Sequence, residues 1–360
     1  STLGSALAAG WLAAFMQRRG RTPGIALGLG VAVLGAATCV VAIQAGLLPL
    51  FLIGMIMVGV GSGTSNMSRY AAADLASDAT RSRDIGSIVF FATFGAVLAP
   101  NLIGALGGVA ESMGLDSNTG GFLLAVVLFG LSSLVIWFFL RPDPLVVSGG
   151  VNPSATVNKR TVPFREALAI AWAHPLARLA FAALVISQAV MVMVMAMTPL
   201  HMEDHGHSKG WIGAVISAHT AGMFAFAPIA GRISDGIGRV QTIVLAGFTL
   251  VGATAFTALA GDAPRGLLFP GLFLLGLGWS FGVVAGSALL TESVAESDRV
   301  AVQGAADLAT NVASGIGALT AGIVVSSAGY HFLSLIGMAA AGALMAQSWF
   351  ENRLAGAHPD

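Results

Sequence analysis

The stretch Gly231-Arg232-Ile233-Ser234-Asp235-Gly236-Ile237-Gly238-Arg239 separates two long apolar runs. A weaker copy, Gln17-Arg18-Arg19-Gly20-Arg21, separates two more near the start of the chain. Aligning Gly20 with Gly238 pairs Arg21 with Arg239 and Gln17 with Asp235. Working outward from these turns gives eleven runs long enough to cross a bilayer, since a spanning helix needs about 20 apolar residues. They cover residues 1–17, 23–45, 47–68, 85–109, 120–140, 176–200, 210–230, 241–260, 267–290, 300–324 and 332–350. None alternates with period two and all exceed a barrel strand, so the spans are helices.

Composition agrees. Of 360 residues, 56% are hydrophobic and 9% are charged, against about 25% charged in soluble domains. The single cysteine, Cys39, excludes a disulfide scaffold. A net charge of zero argues against nucleic acid as a partner. That zero hides a strong asymmetry. Fifteen basic residues fall in alternate connections on one side, among them Arg18, Arg69, Arg81, Lys159, Arg160, Arg232 and Arg353; only Lys209 and Arg265 fall on the other. The positive-inside rule makes the first side cytoplasmic, including the C-terminus and the polar 141–175 segment. The expected location is the cytoplasmic membrane.

The two turns lie six spans apart, which gives a repeat of two helical bundles: 1–140 with five spans, a cytoplasmic linker at 141–175, and 176–360 with six. The first bundle is one helix short, so the reading is twelve spans with the first missing. The linker carries Pro142, Pro144, Pro153 and Pro163 and a short amphipathic piece at 164–172 that suits a tether on the membrane surface.

The Gly-x3-Asp-x2-Gly-Arg turn, the span count and the linker together resemble the major facilitator superfamily. The resemblance implies two pseudo-symmetric helical bundles with alternating access. It also implies that Gly231, Asp235, Gly238 and Arg239 form a conformational latch. Gln17 departs from the Asp of the family pattern, so only the second half matches fully.

Glycines four apart lie on one helix face and let backbones approach; Gly59/Gly63, Gly104/Gly108 and Gly278/Gly282/Gly286 fit this. The set Gly86, Gly95, Pro100, Gly104 resembles the fifth-helix motif of proton-coupled drug antiporters of the same superfamily. It reads first as a kink and packing element, and second as a sign of efflux.

The chain has 13 methionines and 7 histidines, of which residues 191–223 hold six and four. Met193 and Met197 share a helix face, as do His219 and Met223 on the next span. Thioethers with imidazole suit a soft ion such as Cu(I). The same residues also serve as gap-fillers and helix-to-helix hydrogen bonders. The pattern resembles the paired motifs of CcoA-type copper importers, which implies copper uptake with Met193, Met197, His219 and Met223 as transient ligands. His201, Met202, His205 and His207 are expected in an outer loop, either collecting metal or simply solvated.

Asp307, about two turns into its span, is a candidate for proton coupling, or a helix-end carboxylate near Arg299. Asp74 is expected to pair with an arginine. No nucleophile elbow or zinc-protease motif is present, so an enzyme is not expected; nor is a resident cofactor, copper being cargo. The alternative function is proton-coupled drug or small-molecule efflux, and a monomer is expected.

Overall fold

The computed structural model describes residues 2–149, 162–260 and 266–357. Thirteen α-helices are assigned there, and no strand is present among the described residues. They are α1 (Thr2–Arg19), α2 (Arg21–Ala45), α3 (Leu48–Leu75), α4 (Arg81–Ser112), α5 (Gly120–Phe139), α6 (Pro144–Val147), α7 (Phe164–Ala173), α8 (Pro175–Asp204), α9 (Lys209–Thr220), α10 (Ala227–Ile237), α11 (Arg239–Leu259), α12 (Leu268–Glu292) and α13 (Arg299–Ala357). A π-turn, Ala221–Ala225, links α9 to α10. Every predicted apolar run falls in a helix. Seven described helices are long and apolar enough to cross a membrane, or eight where the pair α9–α10, bent by 43°, counts as one broken span. The long α13 holds two predicted runs, broken at Gly329 by its positive φ of 82°.

The all-helical form follows from the solvent. In hydrocarbon each backbone group must be satisfied within the protein, and a helix does so within one segment. The linker contributes α6 and the amphipathic α7, as expected. Pro153, Lys159, Arg160 and Arg265 lie outside the described residues.

The compact units are not the two sequential bundles expected at 1–140 and 176–360. One contains 1–75, 94–168 and 295–311; the other contains 76–93, 169–294 and 312–360. The first four turns of α4 therefore pack with the second unit, and the first turns of α13 with the first. The first unit's core is built on Leu12, Met16, Ile25, Met67 and Leu145, and the second's on Val194, Leu250, Leu272, Leu275 and Leu333.

Small residues set the helix spacing in the second unit. A Cβ at Gly282 would overlap the Ser187 hydroxyl of α8, and one at Gly278 would press on Leu250 of α11. The predicted pair Gly104/Gly108 does not behave this way: a Cβ at either meets nothing within 4 Å. Gly282→Val is therefore expected to cost about 1–3 kcal/mol by overpacking and to lower the melting temperature of the purified protein, while Gly104→Ala leaves it unchanged. Thermal unfolding of both variants in detergent checks this.

Candidate functional site

The Gly231–Arg239 turn closes on the start of α4. Asp235 accepts hydrogen bonds from the backbone N–H groups of Ser82 (3.1 Å) and Arg83 (2.9 Å). Those amides belong to the first turn of α4, which has no partners of its own, so a carboxylate there satisfies them and meets the positive end of the helix dipole. Arg239 holds Asp235 at 2.8 Å and Glu292, at the end of α12, at 3.0 Å. Arg81 joins the same Glu292 at 2.9 Å. The Ser82 and Ser234 hydroxyls lie 2.9 Å apart. Contact this close needs glycine: a Cβ at Gly231 would run into the Ser82 and Arg83 backbone, and one at Gly86 into the Ala227 carbonyl. Gly238 turns the corner with φ 104°. Gly231, Asp235, Gly238 and Arg239, the residues expected to form a latch, thus meet at one corner, and Gly86 packs against it.

The first unit repeats this corner at a constant offset of 218 residues. Gly20 (φ 99°) stands for Gly238, Arg21 for Arg239 and Asp74 for Glu292. Arg21 Nε and Asp74 Oδ2 are 2.8 Å apart, both fully buried; Asp74 meets its expected arginine here. Gly304 stands for Gly86, and a Cβ on it would crowd Ala13 and the Ala9 carbonyl, the counterparts of Gly231 and Ala227. Gln17 breaks the pattern: its side-chain oxygen accepts the Val162 N–H at 3.1 Å. In this unit Asp143 caps a helix start instead, accepting from the N–H groups of Arg21 and Thr22 in α2.

One feature has no counterpart. Arg69 Nη2 lies 2.5 Å from Asp307 Oδ1 and 3.0 Å from the Tyr70 hydroxyl, and its guanidinium sits 4.4 Å from the Tyr70 ring centre. All three residues are buried. Asp307 Oδ2 is buried without a hydrogen-bond partner among the described residues. At the 218-residue offset, Arg69 becomes Ser287, Tyr70 becomes Ala288 and Asp307 becomes Val89. The sequence reading counted Arg69 with the solvated loop arginines, and that is corrected: it lies inside α3 and is 8% exposed. Arg299, the partner first considered for Asp307, pairs with Glu296 at 3.6 Å. Asn311, one turn on, donates to the Asp307 main-chain carbonyl, not to its carboxylate.

The Met/His residues lie in the second unit, tied to different helices. Met193 packs along Gly317 and Gly337 of α13. His219 is buried, with Nδ1 3.0 Å from the Leu272 carbonyl of α12. Met223 lies in the π-turn, and with Met197 it packs on the unit's core. No group of three or more His, Cys, Asp or Glu is placed to hold a metal among the described residues.

The outer cluster needs correction. Helix α8 runs on to Asp204, so His201 and Met202 are helical, not looped. Met202 is fully buried in the core and cannot collect ions from solution. His201 stacks on Tyr330 at 4.3 Å and meets the His205 ring at 4.2 Å. His207 borders a cavity of about 490 Å³ with Trp211.

Of the α4 set, only Gly86 packs closely; a Cβ at Gly95 or Gly104 meets nothing within 4 Å. The helix continues through Pro100 without interruption, and the Pro100 side chain lies outside the described ones.

Apolar spanning helices and a repeated helix corner define a multi-pass membrane protein. The chain belongs to the Major Facilitator Superfamily, which it matches over residues 1–212 and 179–359. It is 34% identical over 340 residues to "Uncharacterized MFS-type transporter YdeG" of Bacillus subtilis, covering 93% of this chain and 78% of that protein. It is 30% identical over 335 residues to "Riboflavin transporter RfnT" of Brucella anthropi, covering 92% and 80%. In fold it is similar to the E. coli fucose:proton symporter FucP, with TM-score 0.75 and 17% identity over 97% of this chain and 88% of that one. A bacterial homologue of the iron transporter ferroportin gives TM-score 0.73 and 15% identity over 98% and 88%.

Losing a side-chain helix cap costs about 1 kcal/mol, about fivefold in an equilibrium. Asp235→Ala should therefore slow disulfide formation between Ser82→Cys and Ser234→Cys about fivefold. Cross-linking rates in membranes, with and without Asp235→Ala, measure this.

Proposed function

We propose that this protein moves a small organic solute across the cytoplasmic membrane by alternating access, coupled to a proton carried by Asp307. The observation behind this reading is the buried Arg69–Tyr70–Asp307 group, present in one repeat and replaced by Ser287, Ala288 and Val89 in the other. The repeated parts of the corner serve the fold in both units. An ion pair that only one repeat carries is not needed to build the corner.

Its chemistry suits coupling. Protonating Asp307 removes the partner of a buried guanidinium, and breaking a buried pair costs about 3–5 kcal/mol. Arg69 then keeps only neutral acceptors such as the Asn66 carbonyl and the Tyr70 hydroxyl, which favours movement of α3 or of the first turns of α13 toward water. Proton binding and the conformational equilibrium are linked through that pair. The bare Oδ2 of Asp307 is the atom that receives the proton. The basic side of the spans is read as cytoplasmic, from the charge asymmetry.

The named relative that transports riboflavin makes that flavin the first cargo to try. Purified protein in liposomes with an imposed pH gradient should accumulate radiolabelled riboflavin. Asp307→Asn should lower gradient-driven accumulation at least tenfold while keeping exchange of internal for external solute. Accumulation by Asp307→Asn equal to wild type would remove the coupling role.

A second reading, copper transport, is favoured by one observation. The π-turn that follows His219 contains Met223, and π-turns concentrate at functional sites. His219 uses Nδ1 on the Leu272 carbonyl, which leaves Nε2 to act as a ligand. On this reading Met193→Leu or His219→Ala lowers cellular copper with folded protein intact; unchanged copper in both variants retires it.

A further inference from the structure

The middle of the second unit carries a polar and aromatic group that neither the corner nor the Asp307 pair uses. The indole Nε1 of Trp279, on α12, donates to the side-chain oxygen of Gln188, on α8, at 2.6 Å. Phe224 of the π-turn meets the Trp279 ring edge to face, with centres 5.6 Å apart and planes at 78°. Glycines make room for this meeting. Gly276 lies one turn before Trp279 on the same side of α12, and a Cβ there would run into the His219 carbonyl. One at Gly222 of the π-turn would run into the Phe273 carbonyl.

The indole fixes which way the amide points. An indole N–H only donates, so its partner on Gln188 is the oxygen, and the amide nitrogen is left over with two N–H donors. Gln188 is half-buried; its amide nitrogen has no partner among the described residues and is not enclosed. A pair that only tied α8 to α12 would need nothing beyond the indole bond.

Depth makes that amide informative. Gln188 lies 13 and 16 residues from the two ends of α8, and Trp279 lies 11 and 13 from the ends of α12. At 1.5 Å per residue each is about 16 Å or more from either end, in the middle of its span. Unpaired donors at that level are too costly to face hydrocarbon, so they face water or a solute. The surroundings are uncharged: no Asp, Glu, Lys or Arg occurs in 179–202, 210–226 or 268–291.

We infer that Gln188, Trp279 and Phe224 recognise the cargo, as a planar, uncharged aromatic ring with a carbonyl or ring nitrogen at its edge. The ring stacks on the indole, and its edge acceptor takes the Gln188 N–H donors. One amide beside two aromatic rings suits a flat face with one polar edge better than a ring of hydroxyls, and this face offers no counter-charge to an ion. The inference rests on the organic-solute reading above and narrows its class; the flavin chosen there as first cargo has such a ring.

The test is equilibrium dialysis of the purified full chain with radiolabelled riboflavin. The competitors are lumichrome, the flavin ring without its ribityl chain, and ribitol, the chain alone. Lumichrome should displace riboflavin and ribitol should not. Trp279→Leu should weaken riboflavin about tenfold, as for loss of one stacking platform, while Trp279→Tyr, which keeps a ring, weakens it less. Gln188→Leu should weaken it about fivefold, the worth of one hydrogen bond. The competition uses wild type alone, so it decides even where a variant does not fold. Wild-type affinity in both folded leucine variants, or displacement by ribitol instead of lumichrome, overturns the proposal and leaves the transport reading standing. Wild type that binds neither riboflavin nor lumichrome overturns the ring class; gradient-driven uptake of another solute, lost in Asp307→Asn, would then still support the coupling.

Discussion

Two arginine–carboxylate meetings fix the helix corners of this molecule, one fully buried and one reached by solvent. Arg21 leaves the turn before α2 and finds Asp74 at the end of α3; Arg239 leaves the turn before α11 and finds Glu292 at the end of α12. Each ties the start of one helix to the end of the next. Removing either partner of the Arg21–Asp74 pair would strand a charge in a low-dielectric interior. Arg21 therefore requires its acid, and the glycines at 20 and 238 are required to aim the two arginines. The close contacts of Gly86 and Gly304 then follow from where these corners place the neighbouring backbones.

The two corners differ in what they do with the next helix. In the second unit a charged Asp235 caps the first turn of α4 and is itself held by Arg239. In the first, Gln17 reaches the linker at Val162 instead. A neutral amide attracts a helix dipole less than a carboxylate does. Where the first unit lacks this cap it has added Arg69, Tyr70 and Asp307. One corner thus places a carboxylate on backbone amides, and the unit with the other corner carries a buried ion pair instead.

Much of this was legible in the sequence, for reasons that differ by residue. Spans were readable because hydrocarbon tolerates only long apolar helices, and the latch because Gly, Asp, Gly and Arg each answer a local demand at fixed spacing. The partner of Asp307 was not readable. Arg69 lies 238 positions away, and its place beside Arg81 and Arg83 in the chain suggested one more loop cation. Helix length hid it, since α3 runs on past the apolar stretch to Leu75. The methionines show the limit of spacing as a guide. Residues four apart do share a face, but which neighbour that face meets depends on tertiary packing, which set Met193 against α13 and His219 against α12.

The constant offset of 218 residues also constrains the length of the intervening helices. It holds at Ala9 and Ala227, at the two corners, at Asp74 and Glu292, and at Gly86 and Gly304. Two positions separate α2 from α3, while eight separate α11 from α12. The offset survives because α11 and α12 are shorter by a matching amount. Net length across this segment is thus nearly equal in the two units although helix and connection lengths differ. Equal spacing leaves the two corners free to carry different side chains, a capping aspartate in one and a glutamine that reaches the linker in the other.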